Sequence, residues 1–290
     1  MRFKHIIICG PTGSGKSALA LRIAQKISGV IINADSQQIY KELPILSAQP
    51  PEEDKKLIPH HLYGVMSGAE LCTVAKWLEL AMAKINSQKS ILVGGTGLYF
   101  HALMNGLSPI PEVPEEVRRK VRDMEIEEVA RLMGEEYDGN YQRMRRALEV
   151  KLSTDTSIKE WQKIKPEHPY KPSDFLILNV SVPRETIYQN INSRLLAQVE
   201  QGALDEVSEL LKMDLDPELP IMKALGMPEF KSYFEGTMSL EDAITKAQQK
   251  IRNYAKRQMT WFRNQLPEHK IDISPNPSDK ELDEIILQQS

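Results

Sequence analysis

Cysteine is nearly missing from this 290-residue chain, with Cys9 and Cys72 its whole complement. Cys9 ends an apolar run that reads as a buried strand, and Cys72 falls in a stretch that reads as helical. That placement excludes a disulfide framework and a zinc site, and it points to a reducing cytoplasm. Net charge is missing too: 37 Lys and Arg against 40 Asp and Glu leave −3. Bulk attraction to nucleic acid is thereby excluded, although a local basic patch is not. No apolar run approaches the length that spans a membrane, so a membrane partner is not expected. There is no internal repeat and no low-complexity segment. A chain of this length suits one large domain or two smaller ones.

What is present begins with Gly10-Pro11-Thr12-Gly13-Ser14-Gly15-Lys16-Ser17. The apolar run Ile6–Cys9 precedes it, and Ala18–Ala24 follows with helical periodicity. A buried strand thus delivers a glycine-rich loop to a helix N-terminus, where free N–H groups and the helix dipole favour an anion. In that frame Lys16 sits on phosphate oxygens, and the Ser17 hydroxyl reaches a phosphate-bound Mg²⁺. A glycine-rich turn that binds nothing would lack these flanks. A phosphorylated ligand is the expectation.

A second strand pattern, Val30–Asn33, ends in Ala34-Asp35-Ser36-Gln37-Gln38. Ligands of open parallel sheets bind beyond the carboxyl ends of the strands, so Asp35 falls on the edge that carries the phosphate loop. Asp35 or Ser36 would also serve as a helix cap. Residues 44–51 read as a loop able to lie across the site, and His60-His61 as structural or substrate-loop residues, since adjacent histidines point apart. Thr73–Met82 is an amphipathic helix whose Trp77 is a core residue. The third strand pattern, Ser90–Val93, runs into Gly94-Gly95-Thr96. A P-loop ATPase usually ends that strand in a magnesium-organising Asp. Here glycines allow close backbone approach, and the Thr96 hydroxyl is suited either to substrate or to a helix cap.

Pro109, Pro111 and Pro114 mark a boundary, after which residues 115–170 read as a charged helical insertion. It contains Arg118 and the cluster Gln142-Arg143-Met144-Arg145-Arg146, in which Arg143 and Arg146 share a face. A solvated surface is the other reading of those arginines. Strand pattern returns at Phe175–Val180, followed by helices over 183–202 and 203–212 and a capped helix over 239–265. Arg252, Lys256 and Arg263 line one side of the last of these, a stripe suited to a phosphorylated polymer or a diphosphate. The pattern as a whole predicts an α/β fold: a parallel P-loop sheet flanked by helices, built from 1–114 and 171–290, with 115–170 inserted.

Taken together, the chain resembles the tRNA dimethylallyltransferase family, also called tRNA isopentenyltransferases. The stretches that carry the resemblance are 10–20, 32–40, 91–99, 142–150, 202–207 and 254–263, in the family's order over nearly the whole length. The family's usual Asp-Ile-Gly-Thr-Ala-Lys-Pro run is replaced by Glu42–Pro50, and its Gly-Tyr-Lys/Arg-Glu by Gly226-Met227-Pro228-Glu229.

The resemblance implies transfer of a dimethylallyl group from its diphosphate to N6 of an adenine next to the anticodon of tRNA, with Mg²⁺ as cofactor; nothing in the sequence suggests an obligate dimer, so a monomer is expected. It implies that residues 10–17 bind the diphosphate and that Asp35 is the general base, with Ser17 and Thr96 positioning the reacting groups. It further implies that Asp35, Ser36, Gln37, Gln38 and Thr96 meet the tRNA at the reaction centre. Arg118, Gln142, Arg143, Met144, Arg145, Arg146, Arg252 and Lys256 would hold the anticodon stem-loop. Two other readings remain at this stage: a small-molecule or nucleotide kinase using the same loop, and an RNA-binding protein without turnover.

Overall fold

In the computed structural model, residues 5–85, 89–134, 140–164 and 166–288 are described. They form two compact units, residues 1–104 with 170–290, and residues 105–169. Proline spacing suggested 115 as the start of the second unit. The earlier start has a local cause: Gly106 packs so closely on Pro166 that a Cβ there would lie 2.6 Å from the Pro166 ring.

The first unit is built on a six-stranded parallel sheet in the order β3-β2-β4-β1-β5-β6. The strands are β1 (His5–Cys9), β2 (Val30–Asn33), β3 (His60–His61), β4 (Ser90–Gly94), β5 (Phe175–Val180) and β6 (Ile271–Ile273). Their near-continuous Ile, Leu and Val runs mark strands covered on both faces. Alternation sorts the side chains into two cores. Ile6, Ile8, Ile31, Ile91 and Leu178 point to the face covered by α1 (Lys16–Ile27). Ile7, Cys9, Ile32, Leu92 and Ile177 point to the opposite, larger core.

Between the strands lie α2 (Glu52–Leu57), α3 (Val74–Ile85) and α4 (Gly97–Asn105). The second unit carries α5 (Glu115–Arg122), α6 (Ile126–Met133), α7 (Tyr141–Thr154) and α8 (Ile158–Lys163) around a small core of Val121, Val129, Met144 and Leu148. After β5 come α9 (Arg184–Glu200), α10 (Ala203–Leu211), α11 (Met227–Phe234), α12 (Leu240–Gln265) and, after β6, α13 (Asp279–Gln288). The 26-residue α12 starts where the Ser239 hydroxyl accepts the Asp242 N–H at 3.1 Å. Its buried stripe, Ala243, Ala247, Ile251, Ala255, Gln258 and Phe262, follows helical spacing. The alanines let it lie close to the sheet's upper layer, and that brings Gln258 to the strand ends. No helix among the described residues is long and apolar enough to cross a membrane.

Candidate active site

Parallel pairing sets Cys9 beside Gly94 and Asn33 beside Val93, so three strands end together. Beyond them the chain turns sharply at each strand. After β1, Gly13 and Gly15 take φ of 80° and 84°, left-handed values that point successive N–H groups into the loop's hollow. Ser14 is buried, and its hydroxyl has no partner among the described residues. An orphaned donor inside a glycine cradle at the start of a 12-residue helix fits a phosphate group.

The Lys16 ammonium donates to the Pro11 carbonyl at 3.1 Å, folding back over that hollow. Desolvation brings its pKa down to about 8; the nearby Asp35 carboxylate resists this and the Arg194 guanidinium adds to it. Arg194 comes from α9 and donates to the Thr12 hydroxyl at 2.6 Å. Burial lowers its pKa as well, against the pull of Asp35.

After β2, buried Asn33 holds the turn: its amide donates to the Asp35 carbonyl at 2.9 Å and to the Leu62 carbonyl at 3.0 Å. The carboxylate Oδ1 of Asp35 accepts the Gln37 N–H at 3.0 Å, closing an Asx turn. The other oxygen, Oδ2, faces Gly95, where a Cβ would stand 3.3 Å from it. Asp35 therefore caps a turn and not a helix, and it lines one cavity with Thr12, Lys16, Ser17 and Arg194.

After β4, a Cβ at Gly94 would fall 2.0 Å from the Ala34 carbonyl oxygen. No side chain fits there, which is the physical reason that this strand ends without an acidic residue. The Thr96 hydroxyl accepts the Ser36 N–H at 3.0 Å and donates to the Ser36 hydroxyl at 3.3 Å, tying the two turns together. Tyr254, its phenol pushed up by burial, also bonds Thr96. Gln258 completes the frame: its oxygen accepts the Thr12 N–H at 2.8 Å and its amide donates to the Gly95 carbonyl at 2.8 Å.

Not every residue expected at an RNA surface is exposed there. Met144 is 3% exposed and belongs to the core of the second unit, so the expectation that it meets tRNA is corrected. Arg145 is half-buried and donates to the Met124 carbonyl at 3.2 Å, closing α7 onto the turn before α6. Gln38 donates to the Ser47 and Ala48 carbonyls, and the Gln37 side-chain oxygen accepts the Leu225 N–H. Both amides hold protein loops. Arg252 reaches Asn192 on α9 at 2.7 Å and lies over the Tyr188 ring, so it is a helix-to-helix tie. Gln142, Arg143 and Lys256 are exposed; Arg118 sits 3.9 Å from Glu115, and Arg146 3.1 Å from Glu149.

Sequence reasoning missed Arg194 and Gln258 as site residues. Gln258 lies in a stretch that carries the family resemblance, but Arg194 is a lone basic residue on an ordinary helix and no local pattern marks it. Among the described residues no group of three or more His, Cys, Asp or Glu could hold a metal ion. That suits a Mg²⁺ ion, which keeps most of its waters and takes one or two protein ligands plus phosphate oxygens. The Ser17 hydroxyl on the cavity wall is one such oxygen ligand.

A glycine cradle with a lysine and an arginine at one end of a parallel sheet, and a carboxylate across from it, has the layout of an anion-binding loop in an α/β fold. The profile described as IPP transferase matches residues 38–265, and the one described as isopentenyl transferase matches residues 3–59. The tRNA dimethylallyltransferase of Rhodospirillum rubrum is 44% identical over 278 residues, 90% of this chain and 85% of that protein. That of Bartonella quintana is 45% identical over 279 residues, 90% and 94% of the two chains. Among solved structures, the tRNA delta(2)-isopentenylpyrophosphate transferase of Staphylococcus epidermidis matches with a TM-score of 0.70 at 27% identity, covering 98% of this chain and 97% of that one. The chain belongs to the IPP transferase family and is a tRNA dimethylallyltransferase by kinship, an enzyme of prenyl transfer to tRNA.

Proposed function

We propose that this enzyme moves a dimethylallyl group from dimethylallyl diphosphate to N6 of the adenine next to the anticodon, giving N6-dimethylallyladenosine. The observation that carries this reading is the cavity shared by the Asp35 carboxylate and the cationic cradle of Lys16 and Arg194. The N6 lone pair attacks C1 of the allyl group while the C1–O bond breaks and its electron pair leaves on the diphosphate. The amine proton passes to Asp35. The exocyclic amine is a weak nucleophile because its lone pair is delocalised into the ring, so placement of the carboxylate matters more than its basicity. Backbone N–H groups of Gly13, Gly15, Lys16 and Ser17, the Lys16 ammonium and Arg194 receive the charge that grows on the departing oxygen. Mg²⁺, held through Ser17 when bound, neutralises diphosphate charge. Thr96 keeps the Asp35 turn against the Gly95 turn.

The adenine must leave its stack to reach Asp35. Exposed Arg143 and Lys256, with Arg118, Gln142 and Arg146, are the residues assigned to the RNA backbone, and the enzyme works as a monomer in the cytoplasm. Gly94 disfavours the kinase reading, since the position that would carry a magnesium carboxylate has no room for one. The test is radiolabelled dimethylallyl diphosphate with tRNA lacking the modification, followed by nucleoside analysis. Labelled N6-modified adenosine from wild type and none from Asp35→Ala is expected. Phosphate transfer from ATP with no prenyl product would replace this reading with a kinase.

A further inference from the structure

One wall of the cavity is a short turn that other elements hold in place. Ser47 N–H donates to the Leu43 carbonyl and Ala48 N–H to the Ile45 carbonyl, each at 3.0 Å, and Ala48 adopts a left-handed φ of 57°. From α10, Glu206 accepts the Ile45 N–H on one carboxylate oxygen at 2.7 Å and the Leu46 N–H on the other at 2.9 Å. From α9, buried Gln198 donates to the Ile45 carbonyl at 2.6 Å and the Leu46 carbonyl at 3.1 Å. Gln38 takes the next two carbonyls, those of Ser47 and Ala48. Peptide groups on both sides of Leu46 are thereby pinned by side chains from outside the turn, and the Leu46 side chain is left 7% exposed at the cavity. This turn lies in the stretch that replaces the family's usual run after Tyr40.

The cavity has two characters. Thr12, Lys16, Ser17 and Asp35 make its polar side, whereas Leu46, Val93, Leu225 and Ile251 are apolar. Val93 belongs to the sheet and Ile251 to the long α12, so neither can give way. Leu225 is held through a single bond, its N–H to Gln37 at 3.2 Å, whereas both peptide groups flanking Leu46 are clamped, which makes Leu46 the wall that a longer chain would have to displace. We propose that Leu46, held by Glu206 and Gln198, limits the donor to a five-carbon allyl group and rejects one that is an isoprene unit longer. This inference rests on the prenyl-transfer reading above. Extra carbons would meet a side chain whose backbone cannot retreat as a segment without breaking the bonds to Glu206 and Gln198, and close-packed walls discriminate by that resistance.

The experiment compares kcat/KM for dimethylallyl and geranyl diphosphates on unmodified tRNA, in wild type, Leu46→Ala, Leu46→Val and Glu206→Gln. The ratio of geranyl to dimethylallyl turnover is expected to rise about tenfold or more in Leu46→Ala. A smaller rise is expected in Leu46→Val, the variant to read should Leu46→Ala not melt cooperatively. Glu206→Gln keeps one acceptor and loses the other, so its ratio should also rise, with KM for tRNA unchanged. A role in folding alone would lower both donors together. An unaltered ratio in a folded Leu46 variant, with wild type still using dimethylallyl diphosphate, overturns the proposal and leaves prenyl transfer standing. A wild type that transfers no prenyl group brings down the prenyl reading and this inference with it.

Discussion

Asp35 and Lys16 face a common cavity from two different strand ends, and each makes a prediction at its own scale. On the proposed mechanism, replacing Asp35 with Ala removes the proton acceptor while leaving the glycine cradle intact. We expect kcat to fall by about 10²–10⁴-fold with donor affinity little changed, measured by single-turnover kinetics and by donor titration. On the same proposal Lys16 binds diphosphate as the ammonium, and burial brings its pKa down to about 8. The charged form predominates below that value and is lost above it. Thus kcat/KM for dimethylallyl diphosphate should decline as pH climbs past 8, and Lys16→Gln should start lower and lack that limb. A flat profile in wild type would remove Lys16 from the binding step. Ser14 belongs to the same scale: its buried hydroxyl, without a partner among the described residues, fits an anion in the loop.

At the scale of elements, α12 is what joins the phosphate loop to the turn after β4. Gln258 bonds both, through Thr12 and Gly95, and no other residue spans them in this way among the described hydrogen bonds. Gln258→Ala would leave a buried N–H and a buried carbonyl without partners, at a cost of about 1–3 kcal/mol for each group left unmade. Chemical denaturation should report the loss, and KM for the donor should rise along with it. Gly95→Ala attacks the same joint from the other side, because its Cβ would lie 2.1 Å from the Gln258 amide nitrogen. If both variants kept wild-type stability and donor KM, α12 would be packing only.

Across the whole molecule, formal charge of −3 and binding to a polyanion are reconciled by uneven placement of the basic residues. Arg143→Ala and Lys256→Ala should each raise KM for tRNA while leaving KM for the donor alone. Each should also flatten the logarithmic salt dependence of tRNA binding by about 0.7–0.9 for every phosphate the variant no longer neutralises. Met144→Ala is the contrasting case. It opens the four-residue core of the second unit and should destabilise that unit by about 2–5 kcal/mol, read as a separate, earlier thermal transition.

Most of the elements were legible in the chain because their signals are local; β3 was not, since His60-His61 carries no apolar run and reads as structural or substrate-loop residues. Ile6–Cys9, Val30–Asn33, Ser90–Val93 and Phe175–Val180 are apolar runs of strand length bounded by glycine or polar turns. The phosphate loop was legible for the same reason, since eight consecutive residues carry its backbone geometry. What the chain could not show was which distant side chains arrive at those strand ends. Arg194 and Gln198 lie one helical turn apart on α9; one reaches Thr12 and the other Leu46, contacts across 182 and 152 residues. Gln142 to Arg146 looked like one basic patch, yet helical rotation sends Met144 inward, turns Arg145 to a carbonyl and leaves Arg143 in solvent. Spacing along a helix decides which residues share a face, but only packing against the neighbouring elements decides which face is buried. The sequence alone therefore determined most of the strands, the anion loop and the kinship; the tertiary structure decided that His60-His61 joins the sheet and how the carboxylate, the arginine and the clamped leucine come to share one cavity.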